Sequence, residues 1–307
     1  MSHVHFNRAA LMTSLCGVLL TLAACGGGDS GTTSSAPGTA APVLADDDSA
    51  LAAYDLLNDE RARCGFGRLA RSSQLDLSAR MHGLYLQANP TITREEDPSK
   101  PAFYAASPAD RAMKAGYVTG AVEVVAAGPD ALAATRHLLA GPFDGFVMLT
   151  SSFLEVGVAS TPMGTGRSSL VMDFGRPQGQ QPPLVSSVRT YPCEGSVGVA
   201  AVRGGETPNP FPNEANPQWG QPIFVFDDDL LFQLTSASIT GPSGPVAIQL
   251  IYAAGQANDP LGYFQLGAAA IIPAPLAPST LYTVTINGRT GSGPFTQTFR
   301  FQTGSAA

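Results

Sequence analysis

Lysine is nearly missing from this chain: only Lys100 and Lys114 occur among 17 basic residues, and the arginines form no stripe. Phosphate backbones are held by clustered positive charge, so nucleic acid is excluded as a partner. Twenty-four acidic residues set the net charge at −7. No apolar run reaches the roughly 20 residues that a spanning helix needs. HExxH, CxxC, the phosphate-binding glycine loop and the GxSxG elbow are absent, and the one GxGxxG spacing, Gly26 to Gly31, lies in a low-complexity stretch and not between a strand and a helix. That removes the usual signatures of zinc proteases, thiol redox enzymes, nucleotide enzymes and serine hydrolases. The acidic triplets Asp46-Asp47-Asp48 and Asp227-Asp228-Asp229 lack the spaced ligands and glycine of a calcium loop, and read as a capped helix start and a hairpin turn. Histidine is scarce too: beyond residue 24 only His82 and His137 occur, both expected within helices.

What is present begins with Arg8 and an apolar stretch from Ala9 to Ala24, the pattern of a secretion signal over residues 1–24. Leu22-Ala23-Ala24-Cys25 is similar to the bacterial lipobox, which implies a lipid on Cys25 as the first mature residue. An ordinary signal with Cys25 left free is the alternative. Residues 25–47, rich in Gly, Ser, Thr, Pro and Ala, have too little apolar content to fold and read as a tether. With Cys16 in the signal and Cys25 at the lipid, Cys64 and Cys193 remain, and in an oxidising compartment they are expected to pair. Closing that long loop removes about 4 to 5 kcal/mol of unfolded-chain entropy in the simple model. A catalytic thiol at Cys64 is the competing reading.

From residue 48 to about 140 the apolar spacing is helical. Leu51, Tyr54, Leu57 and Cys64 share one helix face, and Leu75, Ala79, His82 and Leu86 share another. A helix follows over "PDALAATRHLLAG", and "FLEVGVAS" and "SSLVMDFG" read as short strands. Beyond about residue 204 helical spacing gives way to alternation between Pro/Gly punctuation, as in Tyr282, Val284, Ile286 and Phe295, Phe299, Phe301. The expected fold is α+β, with helices around a small sheet over residues 48–178, a linker or strand with Cys193 over 179–204, and an all-β sandwich over 205–304.

The first folded segment resembles the bacterial CAP (cysteine-rich secretory, antigen 5, pathogenesis-related-1, or SCP-like) domain. The resemblance is carried by Asn58 and Arg61, Gly65 and Leu69, Leu75, Ala79 and His82, Arg111, Gly116-Tyr117, Glu123, and Phe153, Glu155, Gly157 and Val158. It implies an α-β-α sandwich with a central cleft. The segment "PLAPSTLYTVTINGRTGSGPFTQTFRFQT" is similar to immunoglobulin-like modules of bacterial surface proteins. CAP domains that bind divalent metal use two cleft histidines with two acidic residues, and both histidine positions differ here. The loop reads Thr93-Arg94-Glu95-Glu96-Asp97, and the later motif reads Gly141-Pro142-Phe143-Asp144-Gly145, with Asp144 in the place of the histidine.

An arginine is always protonated and cannot ligate a metal, whereas it pairs readily with carboxylates. The expected cleft is therefore an ion-pair network of Arg94, Glu96, Glu123 and Asp144 near His82, with no metal and no cofactor; a surviving acidic metal site is the alternative. The function that follows is non-catalytic binding of a small ligand, lipid or envelope component by an exported lipoprotein, held at the membrane through Cys25 on the periplasmic side or the cell surface. Two other classes stay open. One is a hydrolase of peptide or cell-wall material with Glu96 or Glu123 as general base and Arg94 as oxyanion donor. The other is a structural or adhesion module. Trp219, with Phe211 nearby, is a candidate sugar platform.

Overall fold

The computed structural model describes residues 48–305 except 165, 186, 230, 256–258, 265 and 266. Cys25, the tether and the signal lie outside the described residues. Helix α1 (Asp48–Arg63) opens the described chain. Strand β1 (Ala70–Arg71) leads into α2 (Ser73–Ala88), where Ser72 caps the first turn by accepting from Leu75 N. Ser107 caps α3 (Pro108–Lys114) in the same way. Strand β2 (Val122–Gly128) precedes α4 (Ala131–Leu139), which is capped by Asp130, and α5 (Pro142–Leu149), whose capping residue Gly141 has no side chain to offer. Strands β3 (Glu155–Pro162) and β4 (Ser168–Gly175) complete this half.

β1, β3, β4 and β2 form one sheet in that order. Alternation in its strands divides the interior. Val124, Val156, Val158, Leu170, Met172 and Phe174 face α1, α4 and α5, whereas Val125, Ala159 and Val171 pack with Ala79, Tyr85 and Leu86 of α2. Helices thus cover both faces of the sheet.

The rest of the chain is strand. β5 (Arg189–Tyr191), β6 (Ser196–Val199), β7 (Arg203–Gly204), β8 (Gln218–Trp219), β9 (Ile223–Phe226), β10 (Gln233–Gly241) and β11 (Gly244–Pro245) are followed by β12 (Ile248–Ala253), β13 (Ala268–Pro273), β14 (Leu281–Thr290) and β15 (Gly293–Thr303). One sheet runs β12-β13-β9-β5 and the other β11-β10-β14-β15-β6, with β7 and β8 as a separate pair. Residues 179–204, read from the sequence as linker or strand, therefore supply β5 and β6 to two different sheets. The period-two face of β14 and β15 is buried at Tyr282, Val284, Ile286, Phe299 and Phe301, against Ile223 and Val225 of β9 and Ala269 and Ile271 of β13.

The opposite face of β9 and β13 is buried as well. Phe224, Phe226, Ala268, Ala270 and Ile272 join the same apolar cluster as α1, α4 and α5. All four residues of β9 and all six of β13 are buried, the signature of a sheet covered on both sides. Residues 45–307 accordingly fall in one compact unit. Cys64, just past α1, is bonded to Cys193 between β5 and β6, with Cα atoms 5.5 Å apart.

Candidate functional site

The apolar stripe of α2 aims His82 at the sheet, where it is fully buried. Its Nδ1 lies 2.9 Å from Glu96 Oε1 and its Nε2 lies 2.8 Å from Thr93 O and 3.6 Å from Glu123 Oε1. Only the doubly protonated ring donates at both nitrogens. Glu96 also organises its own loop: Oε2 accepts from Tyr104 N at 2.6 Å and Ala105 N at 3.2 Å, and its main-chain N–H donates to Ala106 O. Arg111 of α3 completes the group. Its Nη2 donates to Glu123 Oε2 at 2.7 Å and to Arg94 O at 2.9 Å, and its Nη1 lies 3.7 Å from Glu96 Oε1.

Arg94 sits one layer further out. Its guanidinium donates to Glu123 O at 3.1 Å, to Asp144 Oδ1 at 2.6 Å and to Thr207 O at 3.1 Å. The structure thus places Arg94, Glu96, Glu123, Asp144 and His82 in one connected set, with Arg94 spanning from β2 to α5 and on to the β-rich half. Glu96 and Glu123 do not touch each other; His82 and Arg111 stand between them.

"GPFDG" in α5 is shaped for its neighbours. A Cβ on Gly141 would lie 2.5 Å from Glu206 Oε1, and one on Gly145 would lie 2.6 Å from Phe224 Cζ. Glycine at both positions lets the β-rich half close against the helix. Glu206 Oε1 then accepts from Phe143 N at 2.9 Å and Asp144 N at 2.8 Å, supplying the helix cap that Gly141 lacks.

Burial dominates the electrostatics. Desolvation pushes Glu206 up to about 8, helped by the Asp144 charge and opposed by the two main-chain donors and Arg203. Asp144 is raised by desolvation, with Arg94 and Arg203 pulling the other way. Glu123 is raised well above the usual carboxylate range by desolvation and by Asp173, against Arg111 and Arg94. Among the described residues, no group of three or more His, Cys, Asp or Glu side chains is arranged to hold a metal ion. The guanidinium of Arg94 and that of Arg111 stand between the acids.

Several contributors were not legible as site residues. Arg203 and Glu206 come from a stretch with no helix or strand periodicity. Asp173 had a signal: it is the one charge in the apolar strand "SSLVMDFG", and it lies directly opposite Glu123 across β2 and β4. The sugar-platform reading of Trp219 is overturned. The indole is fully buried, donates Nε1 to Ala140 O at 2.9 Å and lies under the Arg203 guanidinium, so it closes the end of α4 and presents no open ring. Away from this set, an open groove of about 530 Å³ lies where β2 begins and β4 ends, lined by Val122, Phe153, Arg176, Gln178 and Gln181 among others.

No protein-family model matches the sequence, and no curated protein matches it either. Several solved structures align with part of the chain, three of them as follows. An outer surface protein from Borrelia burgdorferi aligns at 16% identity and a TM-score of 0.39 over 44% of this chain and 97% of its own. An extracellular protein containing an SCP domain from Bacillus anthracis aligns at 21% identity and a TM-score of 0.37 over 42% of this chain; the match spans only 40% of that protein. A copper resistance protein from Escherichia coli aligns at 19% identity and a TM-score of 0.22 over 40% of this chain and 99% of its own. At these scores the function has to be argued from the residues.

Proposed function

We propose that this chain is an exported bacterial lipoprotein, anchored through Cys25, in which a CAP-like α-β-α half with a sealed cleft is fused to an immunoglobulin-like β-sandwich and binds an envelope component without catalysis. The observation that carries the reading is the position of Arg94. Its three-way donation to Glu123 O, Asp144 Oδ1 and Thr207 O occupies the space between the acids and stitches the β-rich half across it. A fixed, permanently protonated guanidinium there opposes a second cation. The Cys64–Cys193 bond agrees with an oxidising compartment.

A general base must reach a proton on a substrate. Glu96 and Glu123 are 4% and 3% exposed, and Glu96 is engaged through both oxygens, which weighs against the hydrolase reading. The deciding experiment is thermal unfolding of the mature chain with and without zinc or a chelator. The melting temperature stays unchanged on this reading, and a rise of several degrees with zinc overturns it. Turnover of peptide or cell-wall substrate that vanishes in a folded Glu123→Gln variant would establish the hydrolase. Mass spectrometry of the N-terminal peptide from membranes tests the anchor, which requires a diacylglycerol adduct on Cys25.

A further inference from the structure

Behind the cleft, Glu123 and Asp173 are cross-strand partners of antiparallel β2 and β4, on the face covered by α2. Directly opposed side chains on one face have Cβ atoms about 5 Å apart. Both residues are buried, Asp173 completely. Glu123 Oε1, both Asp173 carboxyl oxygens and Ser78 Oγ have no hydrogen-bond partner among the described residues. An ionised carboxylate with no donor on either oxygen is among the most costly groups a protein interior can hold.

The charges around the pair can be counted from each packed element. β2 supplies Glu123 and β4 supplies Asp173. α2 supplies His82 and the hydroxyl of Ser78, α3 supplies Arg111, and the loop supplies Glu96 and Arg94. β3 faces this layer with Gly157 and Ala159, and with Glu155 beyond them, whose carboxylate lies beside Tyr117 and adds no cation. Arg94 donates only to the main-chain oxygen of Glu123 and spends its side-chain pairing on Asp144. Three carboxyl groups thus face at most two cations, Arg111 and protonated His82. Full ionisation leaves one uncompensated negative charge, and Asp173 is the member without a cationic partner, with only the Ser78 hydroxyl and Glu123 itself beside it.

We propose that Glu123 and Asp173 form a buried acid dyad that holds one proton between them, making this layer a proton-binding site that is filled in acid and emptied to bulk water as the pH rises. Emptying it sets two like charges against each other across β2 and β4. It also draws on Arg111, whose Nη2 bridges Glu123 Oε2 and the main-chain oxygen of Arg94, so the occupancy of the dyad is linked to the loop that seals the cleft. Desolvation raises both members, Asp173 to about 6. A group raised on folding contributes stability that is complete below its unfolded value and is lost as the pH climbs through the folded one. The site acts on the fold whatever the outer surface binds.

The test is urea unfolding of the disulfide-intact mature chain at pH 5 and pH 8, for wild type, Asp173→Asn and Glu123→Gln. The wild-type ratio of folded to unfolded protein is expected to fall about ten-fold or more relative to Asp173→Asn over that range, because the amide keeps the shape and removes the titration. Parallel pH profiles for wild type and Asp173→Asn overturn the dyad. Should either variant fail to fold, carboxyl-carbon NMR titration of the wild type decides. Linked, two-step titration of Asp173 and Glu123 above the ordinary carboxylate range supports the shared proton, and independent titration of both within that range refutes it.

Discussion

Asp144 and Gly145 show how much one pair of residues can redirect a site. Asp144 brings a buried carboxylate, 4% exposed, whose nearest cation is Arg94 at 2.6 Å, with Arg203 at 3.9 Å. Arg94→Ala leaves that charge almost unpaired and is expected to cost about 3 kcal/mol in urea unfolding, since breaking a buried pair strands its partner. Arg94→Lys recovers only part, because an ammonium cannot reach Asp144, Glu123 O and Thr207 O together. Gly145→Ala drives a methyl into the Phe224 ring and is expected to cost about 1 to 3 kcal/mol, read the same way. That Arg94 and Asp144 bring charges of opposite sign was legible from the sequence. Which acid each arginine would serve was not, because the choice depends on Thr207 and Arg111, brought in from 113 positions downstream and 17 positions downstream of Arg94.

At the level of elements, the ends of α4 and α5 are finished by side chains from the β-rich half. Arg203 Nε donates to His137 O as a second donor beside Ala140 N, while Gln221 Nε2 donates to Leu139 O and Trp219 Nε1 to Ala140 O, carbonyls that the end of α4 leaves free. Glu206 does the same for the first turn of α5. Glu206→Ala is expected to cost about 1 to 2 kcal/mol through the lost cap. Glu206→Gln keeps an acceptor oxygen and separates cap from charge. Because burial raises Glu206 to about 8, wild type loses stability against Glu206→Gln as the pH climbs from about 5 to 8, by about 1.4 kcal/mol per pH unit at most, and the difference levels off above that. Strand β2 lies at the edge of its sheet, and arginines engage two of its main-chain oxygens: Arg94 at Glu123 O and Arg167 at Ala127 O. An edge so occupied is a poor template for further pairing. The helices and the longer strands were readable from spacing, as were the inward residues of β14 and β15. The double burial of β13 was hinted at by "AAAIIP", which does not alternate, yet small residues in a row carry too weak a signal to say that helices lie on the far side.

For the molecule as a whole, the change from helical to alternating spacing near residue 204 marks a change of architecture within one compact unit. The helical half and the β-rich half share an apolar cluster running from Leu57 through Leu138 and Phe143 to Phe224 and Ile272. Calorimetry of the chain is therefore expected to give one cooperative transition, with calorimetric and van't Hoff enthalpies in agreement. Removing the Cys64–Cys193 bond by a double alanine substitution should lower stability by about 2 to 5 kcal/mol while leaving that transition single. A fragment ending at residue 178 exposes the inner faces of α4 and α5 and is expected to be aggregation-prone in solution, which light scattering would report.

The middle sheet, walled by helices on one side and by strands on the other, fixes an order of assembly. Its strands β9 and β13 follow the five helices described, so a chain made from its N-terminus keeps the greasy underside of α4 and α5 bare until most of its length has emerged. Maturation is thereby tied to completion of the chain, and shielding of those two helices until then is the assistance this topology calls for.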